Sequence, residues 1–206
     1  NGQIAAFGPM AELPLNLLAL PHQHIDCTNR VILPGYVDSH THLVFAATRE
    51  SEFVQRIKGI TYEDIAAAGG GILNSARRTA QADEETLLAD ARERLWEVIR
   101  LGTTAIEIKS GYGLMLEAEL KLMRVIRQLK QESPIPIRAT LLAAHALPSE
   151  FKNRREDFLK MVCEELIPQV ASEGLTDYVD VFCERGFFTP AETIQVLSAG
   201  KQYGLA

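Results

Sequence analysis

The sequence predicts an α/β protein of about four βα units, half of an eight-stranded (β/α)8 TIM barrel, placed behind a short irregular N-terminal segment. Three observations carry this. After Pro34-Gly35, short apolar runs alternate with long stretches whose apolar residues recur at helical spacing, which is the pattern of strands and covering helices in a parallel sheet. Stop and start signals bracket the helical stretches, with Gly102 after one and Pro190-Ala191-Glu192 opening another. Residues 1–33, by contrast, lack helical periodicity and are interrupted by Gly2, Gly8, Pro9, Pro14 and Pro21, which reads as short strands and turns.

The elements follow in order. Residues 36–42 form the first strand, with a tight Pro-Gly entry and a polar end. A long connection runs through Gly59 and Gly69-Gly70-Gly71 and holds a short helix at 62–68. A helix over 83–101 places Leu87, Leu88, Ala91, Leu95 and Val98 or Ile99 on one face. A strand at 103–108 leads into Ser110-Gly111-Tyr112-Gly113, followed by a helix over 116–131. The third strand, 137–144, ends at His145 and precedes a helix over 150–171. The fourth strand covers 178–183, and a last helix runs from Pro190 to Tyr203. A closed barrel takes about 250 residues, so residues 34–206 have room for about half of one. A half barrel exposes a strand edge and inward apolar faces, and the expectation is a truncated chain or one that folds well only with its missing half.

The 206 residues are 47% hydrophobic and 23% charged, a profile that supports a buried core. The net charge of −6 and the pI near 5.4 argue against nucleic acid as a partner, because phosphate binding needs a surplus of Lys and Arg. Arg77-Arg78 and Arg154-Arg155 are too short to provide it. No apolar stretch approaches the roughly 18 to 20 residues that span a bilayer, so no membrane partner is expected and a cytoplasmic location is. Cys27, Cys163 and Cys183 form no CxxC pair, which points to neither a zinc knuckle nor a disulfide framework.

His40-Thr41-His42 sits at the C-terminal end of the first strand, where residues i and i+2 project from one face and both imidazoles can meet one metal. His22-Gln23-His24 has the same spacing but follows Pro21 in the irregular segment, without βα context. Context, not spacing, separates the two pairs. Glu107 and Lys109 share a strand face and are expected to pair as a structural device. Gly69-Gly70-Gly71 lacks the Gly-Lys-Ser/Thr continuation of a phosphate loop and reads as flexible backbone near the pocket mouth.

The run Pro34-Gly35-Tyr36-Val37-Asp38-Ser39-His40-Thr41-His42 resembles the opening of the amidohydrolase superfamily. There a small β-sandwich precedes a barrel of the metal-dependent hydrolase type, so residues 1–33 are expected to be part of that sandwich and 34–206 the N-terminal half of the barrel. Further stretches, His42-Leu43-Val44-Phe45, Arg49-Glu50, Ala68-Gly69-Gly70-Gly71-Ile72, Lys109-Ser110-Gly111-Tyr112-Gly113-Leu114 and Ala144-His145-Ala146, are similar to the imidazolonepropionase branch. The resemblance implies metal ligation by His40 and His42, with one divalent ion, zinc or iron. It also implies substrate contacts from Arg49, Tyr112 and His145. Arg49 would hold a propionate carboxylate, for which a planar guanidinium is apt. The implied substrate is 4-imidazolone-5-propanoate, opened to N-formimidoyl-L-glutamate in histidine degradation. A homodimer is compatible with the sequence, which leaves the oligomeric state open. No lysine stands at Cys183-Glu184, where some relatives bridge two metals, which favours one. The remaining ligands and the general base are expected beyond residue 206, so no catalytic base lies within the chain and the 206 residues alone are expected to be inactive. Two rivals stay open: another amidohydrolase, such as a cytosine or guanine deaminase relative, and a non-catalytic half-barrel.

Overall fold

The computed structural model describes residues 3–19, 21, 23–61, 64–65, 68 and 70–206. The chain divides into two units, Asn1–Pro34 and Gly35–Ala206.

In the second unit, four parallel strands lie in sequential order: β1 (Tyr36–Thr41), β2 (Thr103–Lys109), β3 (Ile137–Ala144) and β4 (Tyr178–Val181). Each is the strand expected, to within a residue or two at its ends. Sequential parallel order requires a crossover after each strand, and helices supply it. β3 is buried at all but one position, as an inner strand covered on both faces must be. β1 is the sheet edge, and Tyr36 and Val37 lie exposed there.

Helix α1 (Leu15–Leu18) belongs to the first unit. In the second, α2 (Glu50–Ile57) and α3 (Gly71–Gln81) lie between β1 and β2, followed by α4 (Glu84–Arg100). Asp83 caps α4 by accepting the Thr86 N–H at 2.7 Å. The predicted apolar face of α4 is the buried one, with Leu87, Leu88, Ala91 and Leu95 inside. α5 (Leu116–Glu132) buries Leu120, Leu122, Met123, Val125, Ile126 and Leu129 against the sheet. The last helix, α8 (Pro190–Gln202), opens with a capping box between Thr189 and Glu192 and with proline in its first turn.

The helix expected over 150–171 is not continuous. It consists of a 3-10 turn (Ser149–Phe151), α6 (Arg155–Met161), a π-helical turn (Val162–Leu166) and α7 (Ile167–Ser172). Pro168 explains the interruption: it has no N–H to give the preceding turn and its ring crowds the carbonyl four residues back, so the helix widens by one residue as it reaches the proline.

The connection from β1 to α4 holds two helices, α2 and α3, that the periodicity did not reveal. The short helix expected at 62–68 falls on a stretch of which only 64, 65 and 68 are described. Of the glycine run, Gly70 caps α3 and Gly71 begins it with φ +75°, so these two are a helix start rather than open backbone; Gly69 lies outside the described residues.

The β-sandwich part expected over residues 1–33 is not confirmed. Among its described residues are a 3-10 turn (Met10–Glu12) and α1, and no strand. Ile4, Phe7, Ile25, Val31 and Ile32 are all exposed.

Candidate functional site

The polar side chains that the sequence singles out gather at the C-terminal ends of the strands. His40 is on β1, His42 directly follows it, Tyr112 lies in the loop after β2 and His145 follows β3. The His40 and His42 ring centroids are 5.7 Å apart, as the i, i+2 spacing requires. Tyr112 lies 4.9 Å from His42 and 5.6 Å from His145, and the His42 and His145 rings stack at 5.4 Å. Phe182, just past β4, packs edge-on against His145 at 5.6 Å.

Arg49 completes the arrangement. A pocket of about 250 Å³ is lined by His42, Phe45, Ala47, Thr48, Arg49, Ser75 and Tyr112. Arg49 is partly exposed and touches Glu52 at 3.7 Å, a pairing worth only about 0–1 kcal/mol at a surface. Glu52 has a second task, accepting the Gly71 N–H at 3.0 Å at the start of α3. The guanidinium is therefore available to a stronger anion at little cost. A larger cavity of about 710 Å³ beside α3, bordered by Arg77, Leu114 and Phe187, contains no histidine.

The electrostatics favour neutral imidazoles. Burial, then the neighbouring His145 and His40, lower the His42 pKa to about 4. Burial is also the main cause that lowers His145. The His145 Nδ1 lies 3.0 Å from the Gly111 carbonyl oxygen. A carbonyl only accepts, so Nδ1 carries the hydrogen and Nε2 is left as the acceptor.

His42 also satisfies a test for a metal ligand. Its ring is held in the neutral, ligating form, and its Nδ1 is buried without a hydrogen-bond partner, an unmet requirement that buried polar atoms rarely tolerate. Among the described residues no group of three or more His, Cys, Asp or Glu is placed to hold an ion. His40 and His42 thus fit as part of a donor set and do not make a whole one. The other HxH pair offers no comparable setting: His24 is exposed and outside any strand, and His22 lies outside the described residues.

Beneath the rim, Lys109 bonds Glu107 at 2.6 Å, the pair the strand alternation predicts, and adds Asp180 on β4 at 3.0 Å. This ties β2 to β4. The three cysteines are free.

Several supporting residues escaped the sequence reading. Arg94 donates to the carbonyls of Leu43 and Phe45 at 2.8 and 2.9 Å and stacks over the Phe45 ring at 3.7 Å, fixing the loop between His42 and Arg49. Glu119, fully buried, accepts N–H bonds from Gly111, Gly113 and Leu114. Burial pushes its carboxyl up, while Ser110 and these amides favour the ionised form. The available signal for Glu119 was an acidic residue in the first turn of a helix after a glycine-rich loop; Ser75 had none.

The fold and the rim define the class: an α/β protein of parallel βα units with a histidine–tyrosine–arginine site at the strand ends. No protein-family model matches the chain. It is 47% identical over 205 residues to the imidazolonepropionase of Christiangramia forsetii, an alignment covering 100% of this chain and 49% of the relative. It is 48% identical over 202 residues to that of Flavobacterium psychrophilum, covering 98% and 48%. It is also 48% identical over 198 residues to that of Pseudomonas aeruginosa, covering 96% and 48%. The chain belongs to the imidazolonepropionase family, and it spans about half the length of the curated relatives it matches.

Proposed function

We propose that the protein carrying this chain hydrolyses the ring C–N bond of 4-imidazolone-5-propanoate to N-formimidoyl-L-glutamate, in histidine degradation. The observation that carries the reading is the pocket that brings His42, Arg49 and Tyr112 together, with His145 stacked on His42.

Arg49 binds the propionate carboxylate, exchanging a weak contact with Glu52 for a charge-assisted pair. Tyr112, which lines the same pocket, offers its phenol to the substrate. His145, its Nδ1 hydrogen fixed on Gly111, presents an acceptor nitrogen, Nε2, for a ring N–H. Phe45 and Phe182 bound the site with apolar surface that limits competing water. Overall, a water oxygen joins the ring carbonyl carbon, the C–N bond breaks, and the departing nitrogen takes a proton. His40 and His42 would hold part of the coordination shell of one zinc or iron ion, which when bound supplies Lewis-acid activation of water and of the carbonyl. The general base and remaining ligands lie outside this chain in the proposal, within a complete (β/α)8 barrel. The single metal rests on the family resemblance rather than on geometry.

The test is an assay of the product of the whole reading frame, supplied with zinc or iron, against 4-imidazolone-5-propanoate and against cytosine and guanine. Formation of N-formimidoyl-L-glutamate supports the proposal. Deamination of cytosine or guanine without it favours the rival amidohydrolase.

A further inference from the structure

We infer that Glu119 is a positioning residue that holds Tyr112 and His145 in their shared geometry at the rim, by fixing the backbone of residues 110–114. Its consequence for turnover rests on the hydrolase reading above; its structural action does not.

The carboxylate is wholly buried on α5. Oε1 accepts from Gly113 N–H at 2.7 Å and Leu114 N–H at 2.8 Å, and Oε2 accepts from Gly111 N–H at 3.2 Å. The Ser110 hydroxyl oxygen, at the start of the same loop, accepts the Leu142 N–H of β3 at 3.0 Å. These bonds hold a loop of unusual shape. Gly111 has φ +100° and Leu114 has φ +60°, the latter a conformation that costs a side-chain-bearing residue about 1 kcal/mol or more and persists only where the surroundings impose it. Gly113 has no room for a Cβ, which would stand 2.5 Å from the Glu119 backbone nitrogen.

The Gly111 residue links the clamp to the site. Its N–H is held by Glu119 and its carbonyl holds His145 Nδ1, so one carboxylate sets the height of the acceptor that orients His145. Tyr112 is the next residue, with Gly113 and Leu114 anchored on its far side. Two of the three substrate-side groups therefore depend on one buried side chain that reaches neither of them.

Glutamine is isosteric but turns one acceptor into a donor. In Glu119→Gln, keeping Gly113 and Leu114 on the oxygen leaves the amide nitrogen facing the Gly111 N–H, two donors without an acceptor. Amide hydrogen exchange in the product of the whole reading frame is expected to accelerate at Gly111 by about tenfold or more. Nitrogen-15 spectra are expected to show His145 leaving its pure Nδ1–H tautomer, while amides in α4 are unchanged. Glu119→Asp, which keeps the charge but is one methylene too short, should loosen the same amides. Wild-type exchange rates at Gly111, Gly113 and Leu114 together with an unchanged His145 tautomer in Glu119→Gln overturn the inference. If Glu119→Gln does not fold, the wild-type chain decides: the three amides must be as protected as those of α5, and exchange at exposed-loop rates overturns it. In the product of the whole reading frame, KM for 4-imidazolone-5-propanoate is expected to rise about tenfold with a smaller change in kcat; an equal loss in both argues against positioning. Absence of turnover in the wild type as well counts against the hydrolase reading and leaves the exchange and tautomer results standing.

Discussion

The His42 and His145 rings lie parallel, 5.4 Å apart with 6° between their planes, although they follow strands separated by β2. Two imidazolium ions could not share this arrangement without repulsion, and burial already disfavours charge on either. The pair is consistent with a rim kept neutral for ligation and hydrogen bonding.

A pH dependence of stability follows. In the metal-free folded chain His42 takes up a proton only near pH 4, while unfolded it does so near 6.5. Between those values the unfolded chain binds more protons, so stability falls as pH drops from about 6.5 to about 4 and then levels for this group. His42→Gln is expected to flatten that part of the profile. Denaturation of both chains at several pH values measures the difference, and equal slopes would remove His42 as the cause.

Glu192 gives the opposite end of the acid range. Arg155, hydrogen-bonded to it through the guanidinium, is the main cause that brings its carboxyl down to about 2 from 4.5. Its contribution is fully present above pH 4.5 and is lost as pH falls toward about 2. Glu192→Gln should cost about 1 to 2 kcal/mol at neutral pH, from the ion pair and half of the capping box. The gap between the two chains should close near pH 2; a gap independent of pH would contradict this.

Gly113→Ala tests the loop packing separately. The added carbon would lie 2.5 Å from Glu119 N and 2.6 Å from the Ala118 carbonyl carbon, both backbone atoms that cannot step aside. A loss of about 1 to 3 kcal/mol in thermal or chemical unfolding is expected. Gly8→Ala, where nothing lies within 4 Å, is the control and should change stability little. Comparable losses at both positions would mean the clash is not the determinant.

Much of the second unit was legible because its signals are strong and local. α4 and α5 show their buried faces as leucines and isoleucines at helical spacing, and β3 shows a continuous apolar run. α2 and α3 were not legible for a matching reason. α2 buries none of its residues, and α3 buries Gly71, Ser75, Ala76 and Thr79, small or polar side chains that carry no hydrophobic period. At the site, the strand-end position of His40 and His42 could be read from alternation alone, but the pairing of Arg49 with Tyr112 in one pocket could not, since it depends on how the connection after β1 folds. Glu119 was hidden because a glutamate among leucines on an amphipathic helix reads as surface. In the N-terminal segment the glycine and proline punctuation suggested short strands and turns, and among its described residues a 3-10 turn and α1 are present and no strand.

The donor count predicts the behaviour of the isolated 206 residues. With His40 and His42 as a partial donor set and no third group placed among the described residues, the purified chain with zinc or iron is expected to show no hydrolysis of 4-imidazolone-5-propanoate. A rate matching a complete imidazolonepropionase would show that the site needs nothing beyond these residues.

The central claim, that this rim recognises the propionate of an imidazolone, is tested most directly by Arg49→Ala in the product of the whole reading frame. Loss of a charge-assisted pair is expected to raise KM for 4-imidazolone-5-propanoate by about 10- to 100-fold, with folding unchanged because Arg49 is partly exposed and only weakly paired. An unaltered KM would contradict the assignment of Arg49 to the carboxylate and, with it, the proposed substrate.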